Sequence, residues 1–434
     1  MSKEGFFKTV LPNGLTVLLQ RQDRGSMSFG IGVRFGAAHH PASHLLEHLL
    51  FKGTKTRTAL DIRREAVRCG GHQDAFVGFF STFFITKNLA SRGYEPLNIL
   101  CDMVANSVFP EEEMERERNV VLSEHEARSK ESETILMDRI YRTLYCNTQL
   151  ERAVVDDEYT LRKITRKELL KLYQTYYVPS QLIVVGVGPA ENDKVIEIVQ
   201  KYFPQKEKIS VESIVMPQES TIPPSGKIVV AEGGKSQVHL MAGFRAVPRT
   251  HPDFYALRVL SMIIGESVSS RLFEVARERA GLVYNISSHF DTIRSSWKSI
   301  LKADCTSYHG TLRIYSQFSP KNIGRVERII RGELGRLASN VVSLEELKRN
   351  KEQVIGRHQL GLQGTHQYMR MLFAAEVNES IDEFHRFEDG IWAVTEQDIK
   401  QVTRNYCNPS SGVWVILKPK HQNCAHLKKT LKKS

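Results

Sequence analysis

Two histidines four residues apart, His44 and His48 in the segment HLLEHLLFKGT, carry the strongest chemical signal in this 434-residue chain. On a helix that spacing brings both imidazoles to one face, about one turn apart, where they can share a metal ion. Glu47 stands three residues after His44 and one before His48, within reach of water on the same metal. Zinc lowers the pKa of such a water and polarises a carbonyl, while a carboxylate takes the proton and passes it to a leaving amine. That is the chemistry of peptide hydrolysis without a covalent intermediate. In a chain with 15 His and 49 acidic residues, His-x-x-acid-His arises by chance with a probability of about 0.06, so the motif alone does not decide the matter.

A catalytic zinc needs a third protein ligand and an open fourth position. ERNVVLSE places Glu117 and Glu124 seven residues apart, about two helical turns, so both carboxylates can face one side. Acidic pairs at this spacing are common on solvated helices, and by themselves these two read equally as ligand source and as surface charge.

The elements that must position these residues repeat along the chain. TRKELLKLYQTYYVPSQLIVV (165–185) matches TEQDIKQVTRNYCNPSSGVWV (395–415) at Thr165/Thr395, Tyr176/Tyr406, Pro179/Pro409, Ser180/Ser410 and Val185/Val415. Each copy reads as a helix ending near an X-Pro turn and leading into an apolar strand. Two related halves follow: a zinc-binding domain over 1–205, a Pro-containing linker over 206–225, and a second domain over 226–417. A basic tail occupies 418–434. In the first half Asn13-Gly14 marks a hairpin, helical patterns cover 42–52, 59–69, 94–106 and 111–146, and DAFVGFFSTFFIT (74–86) reads as one long strand. The second half suggests strands near 227–246 and 282–317 with helices over 253–265 and about 320–405. The expected fold is α+β: two halves, each a mainly antiparallel sheet with helices packed on one face.

Composition excludes several alternatives. Hydrophobic residues at 41% and charged residues at 25% are ordinary for a globular chain, and no apolar run approaches the roughly 18 residues of a membrane-spanning helix. Six scattered cysteines without a CxxC pair suit reduced thiols. With no room before FKTVLPNGLTVLL for a secretory signal, the expected location is cytoplasmic. Lys418, Lys420, Lys428, Lys429, Lys432 and Lys433 supply over half of the net charge of +11. A short basic end of this kind does not predict specific nucleic-acid binding.

HLLEHLLFKGT, GGHQDA (70–75) and ERNVVLSE together resemble the pitrilysin family of inverted-zincin peptidases, which includes insulin-degrading enzyme and mitochondrial processing peptidase. The likeness extends to YYVPSQLIVVGVG and to RERAGLVY (277–284). It implies one Zn2+ per chain held by His44, His48 and Glu124, the last 76 residues beyond His48. It also implies a catalytic pair: Glu47 as general base and Glu117 orienting a histidine by hydrogen bonding. The resemblance puts Asp74 and Ala75 on a strand whose edge takes up the substrate as an added β-strand; the same segment also suits a buried core strand. Family members usually carry Asn where Asp74 stands and a carboxylate near Phe79. Arg277 and Tyr284 match a pair that reaches across from the non-catalytic half to hold the peptide and its oxyanion. Without the resemblance, Arg277 would pair with an acid such as Glu274 and Tyr284 would begin a strand.

The second half does not repeat the metal site: aligning ELKRNKEQVIGR with EMERERNVVLSE puts Asn350 at Glu117 and Arg357 at Glu124. That half is expected to wall the site. His39 and His40, just before the motif, read as an exposed loop pair rather than ligands. Asp138 fits one of two acids that favour Arg near the cut bond in processing peptidases, but Thr134 occupies the other. The function implied is zinc endopeptidase action on peptides or unfolded polypeptides, by a homodimer enclosing a chamber or a heterodimer with a related subunit. The alternative is a non-catalytic assembly subunit of the same fold.

Overall fold

The structure, a computed structural model, describes residues 4–146, 151, 157–204, 228–234, 236–292 and 310–419. The expected linker and all but the first two residues of the expected basic tail lie outside them. Lys418 and Pro419 correct the tail: they complete a strand, and Lys418 is buried.

One sheet contains β1 (Phe6–Val10), β2 (Thr16–Arg21), β3 (Ser26–Val33), β4 (His72–Val77), β5 (Thr82–Leu89) and β6 (Leu182–Gly188), in the order β1-β2-β6-β3-β5-β4. The other contains β7 (Ile228–Gly234), β8 (Val238–Ala246), β9 (Val283–Thr292), β10 (Gly310–Phe318) and β11 (Val413–Pro419), in the order β7-β11-β8-β10-β9. Without β1 the two orders coincide strand for strand. In each, one pair is parallel, β2 with β6 and β7 with β11, and the other neighbours are antiparallel. The repeat extends to local chemistry. Thr165 caps the helix Arg166–Tyr176 and Thr395 caps Glu396–Tyr406, each exchanging hydrogen bonds with the acid three residues on, Glu168 or Asp398; such boxes satisfy two orphan helix donors at once.

The central strands of the first sheet are apolar on both faces. Val17, Leu19, Phe29, Ile31 and Val184 point into the first half's helix layer, while Leu18, Phe83, Ile85, Ile183 and Val185 point the other way. That second face is covered by one helix from the other half, Thr365–Val377, through Met369, Leu372 and Phe373. Phe373 stacks on Phe83 with ring centroids 3.8 Å apart. Gly30 and Gly32 make room for this contact, since a Cβ would fall 2.3 Å from Phe83 at the first and 1.8 Å from Phe373 at the second. The arrangement is reciprocal. The helix Ser132–Leu144 leaves the first half and packs on Met241, Val413, Val415 and Leu417 of the second sheet through Leu136, Ile140 and Leu144. The main helix layers thus lie on one face of each sheet, as expected, and the opposite faces are closed by exchanged helices.

The expected single strand over 74–86 is a hairpin: β4 and β5 pair antiparallel around residues 78–81, where Gly78 N–H donates to the Ser81 carbonyl at 2.7 Å. β4 is an edge strand. The helical pattern over 111–146 is likewise two helices, Glu111–Ser129 and Ser132–Leu144.

Candidate metal centre

His44, Glu47 and His48 ride on the helix Ser43–Leu50, only eight residues long. Four leucines, Leu45, Leu46, Leu49 and Leu50, are fully buried and fix which face is free. The chain enters this helix through a turn in which His40 Nδ1 accepts the Ala42 N–H at 3.1 Å. Against it packs the helix Glu111–Ser129, carrying Glu117 and Glu124. Glu111, Glu112 and Glu113 occupy its first turn, where negative charge complements the helix dipole. Arg118 ties it down, donating to the Ile164 carbonyl at 2.7 Å and to the Leu161 carbonyl.

The two helices bring three donors together. His44 Nε2 and His48 Nε2 lie 3.2 Å apart, and Glu124 Oε2 lies 3.5 Å from the first and 3.8 Å from the second. One ligand atom from each of these residues falls within 4.8 Å of the others. Two imidazoles and a carboxylate are a zinc donor set with a fourth position left over. The residues fit the metal.

Glu117 is not a ligand here. Its Oε2 lies 2.8 Å from His48 Nδ1 and its Oε1 accepts from Lys52 Nζ at 2.5 Å. Burial alone would raise the Glu117 pKa; Lys52 and then His48 outweigh burial and hold it below the usual carboxylate value. An ionised carboxylate only accepts, so the proton sits on His48 Nδ1 and Nε2 keeps its lone pair for a metal. Lys52 lies four residues beyond His48, but nothing in the sequence pattern marks it as a partner of Glu117.

Glu47 is 8% exposed. Burial pushes its carboxyl above the ordinary range; His48 and His44 oppose that shift, while Asp74 and Glu124 add to it. A carboxylate shifted this way is a better proton acceptor at neutral pH than an exposed one.

The remaining expected residues are placed less closely. Asp74 and Ala75 are on the edge strand β4, next to the motif helix, with Asp74 exposed. Tyr284, 71% exposed, lies near the start of β9, the edge strand of the second sheet. Arg277 is exposed with its guanidinium over the Phe273 ring at 4.9 Å. Among the described residues no hydrogen bond or ion pair joins either to the metal-centre side chains, and Glu274 pairs with Arg279 rather than Arg277. Asp138 forms an ion pair with Arg142, and Phe79 stacks on Tyr141 with centroids 5.4 Å apart. His39 and His40 are not an exposed pair. His39 sits among Phe35, Phe80 and Tyr176, its Nδ1 accepting the Gly36 N–H at 3.2 Å, and burial lowers its pKa to about 4. His40 is part-buried at the helix entry.

Residues 16–158 match the family model described as insulinase (peptidase family M16), and residues 163–354 the one described as the peptidase M16 inactive domain. An uncharacterized zinc protease of Streptomyces coelicolor is 28% identical over 96% of this chain and 91% of its own length. One from Bacillus subtilis is 29% identical over 82% of this chain and 84% of its own. A protease from Helicobacter pylori has the same fold, with a TM-score of 0.86 over 95% of this chain and 99% of that one at 20% identity. With both family models aligned in succession along most of its length, the chain belongs to peptidase family M16, the pitrilysin-like peptidases.

Proposed function

We propose that this family member is an active zinc endopeptidase for peptides and unfolded polypeptides, with one Zn2+ per chain held by His44, His48 and Glu124. The observation that carries the proposal is the convergence of these three donors beside a buried carboxylate, Glu47. Relatives named as zinc proteases support the choice of metal. When bound there, zinc supplies a Lewis acid for the scissile carbonyl and makes a water acidic enough to attack near neutral pH. Glu47 takes the proton from the attacking water and delivers it to the leaving nitrogen. Glu117, braced by Lys52, keeps His48 in one tautomer and orientation. The backbone of a substrate strand pairs with the open edge of β4 at Asp74 and Ala75, which demands little of its sequence.

Arg277 and Tyr284 complete this picture if β9 closes towards β4 over the peptide. Two chains of this length would build an enclosed chamber, and a homodimer is the commonest closed assembly. No helix among the described residues is long and apolar enough to cross a membrane, which accords with a cytoplasmic location. Metal analysis of the purified protein, paired with cleavage of a mixed peptide library, tests the proposal. Stoichiometric zinc with library cleavage supports it; intact zinc with no cleavage in a dimer points instead to the assembly-subunit alternative. Sedimentation tests the dimer separately.

A further inference from the structure

The second half reaches the open edge of the first by a route other than Arg277 and Tyr284. In β4, Ala75 packs toward the first half's helix layer, whereas Phe76 joins Phe83 in the cluster formed with the exchanged helix Thr365–Val377. The register sets His72, Asp74 and Phe76 opposite Lys87, Ile85 and Phe83. Side chains alternate along a strand, so His72 and Asp74 share the face on which Phe76 meets that helix. From the helix, Arg370 lays its guanidinium over the Phe76 ring at 4.8 Å and remains exposed. Among the described residues it has no carboxylate partner. One turn earlier, His366 lies in the field of Arg370, Lys87, His72 and Asp74, and its Nδ1 is buried without a hydrogen-bond partner. Among the groups acting on His366, the fixed positive charge of Arg370 and Lys87 exceeds the negative charge of Asp74.

A polypeptide strand added to β4 continues the pleat, so every second side chain falls on the Arg370 face and the others on the face of the motif helix. We propose that Arg370, carried by the second half, selects an acidic side chain at alternate positions of the substrate strand. This rests on the reading of the chain as a peptidase whose substrate pairs with β4. A carboxylate beside an exposed guanidinium gains a modest attraction, worth about a two- to fivefold preference.

The test is a series of otherwise neutral peptides in which one Glu is moved along the sequence and then replaced by Lys. Cleavage by the wild-type protein is measured as kcat/KM with the cut bond located by mass, and binding to Glu47→Gln as Kd by fluorescence anisotropy. The expected result is a two- to fivefold advantage for Glu over Lys at positions of one parity relative to the cut bond. In Arg370→Glu, that advantage reverses. If Arg370 only braces Phe76, the substitution changes all peptides alike and leaves the Glu-to-Lys ratio unmoved, which overturns the proposal. Cleavage without any alternate-position preference also overturns it, while the peptidase reading stands. Binding with the preference but no cleavage by the wild type supports it and defeats the peptidase reading. Peptides neither bound nor cut defeat both.

Discussion

His40-Pro41 and His251-Pro252 open equivalent helices in the two halves, and in both turns the histidine Nδ1 accepts the backbone N–H two residues on, at 3.1 Å. Counting from these turns, Leu257 and Leu260 stand where Leu46 and Leu49 stand, and all four are fully buried. The functional positions diverge. Tyr255, Arg258 and Val259 replace His44, Glu47 and His48, while Asn350 and Arg357 replace Glu117 and Glu124. At this counterpart site Glu266 is held by Arg258 through both carboxylate oxygens, by Ser261 Oγ at 2.6 Å, and by Arg357, which donates to its backbone carbonyl at 2.7 Å. Asn350 is buried and spends its amide on the Glu346 carbonyl at 2.8 Å. The comparison teaches that the helix pair and its leucines are maintained by packing, whereas the polar content of the cleft between them is free to change. Convergent metal donors in one half become arginines clasping a carboxylate in the other.

Four variants can break or sharpen that contrast. The largest effect belongs to Glu47→Gln: cleavage falls by about 10²–10⁴-fold, the range for losing a general base, with zinc still bound. Full peptidase activity in this variant would sink the mechanism. Next comes the pair Arg277→Ala with Tyr284→Phe. If the second half holds the substrate, kcat/KM falls by about ten- to a thousandfold while folding and zinc content stay intact. Normal kinetics in a folded double variant would leave that half as a wall only. Glu117→Gln is expected to lower zinc affinity or activity by about 10–100-fold through loss of the His48 contact, read by metal competition with a chelator. An unchanged affinity and rate would assign Glu117 to packing. The smallest effect falls outside catalysis. Glu266→Gln weakens the arginine clasp and lowers unfolding stability by about 1–3 kcal/mol, measured in denaturant, with zinc content and peptide cleavage per folded molecule unaltered. A loss of zinc in this variant would show that the two cleft sites are coupled.

The candidate metal centre was legible because its information is local: His44, Glu47 and His48 lie on one short helix, and Glu117 and Glu124 are two turns apart on another. The repeat was legible too, since Thr165 and Thr395 cap their helices by the same short-range bonds. What escaped depends on distant partners. An aromatic turn, Phe79-Phe80, hides the break between β4 and β5, because Phe79 stacks on Tyr141 of a helix that packs against the other sheet. His39 and His40 read as polar loop residues, yet three aromatic neighbours, Phe35, Phe80 and Tyr176, enclose the first, and a backbone donor occupies the second. Lys52 is an ordinary lysine until the fold sets it against Glu117. Irregular helix also left no trace: in the second half the motif-helix counterpart passes from α to π geometry at Met262–Glu266, which is how Glu266 comes to face Arg258.

The exchanged helices bear on how the molecule can come apart. Each half leaves one apolar face of its sheet to be finished by a segment that the other half supplies, so neither sheet is complete when its own half stands alone. Cut between the halves, either fragment would expose an apolar wall of the kind that drives aggregation, including Phe83, Ile85 and Ile183 in the first and Met241, Val413 and Leu417 in the second. Gly32 is fitted to Phe373, more than 300 residues away, so the seam between the halves is closely packed. The chain should therefore melt in a single cooperative step, and the second half persists as structural kin that the first cannot shed.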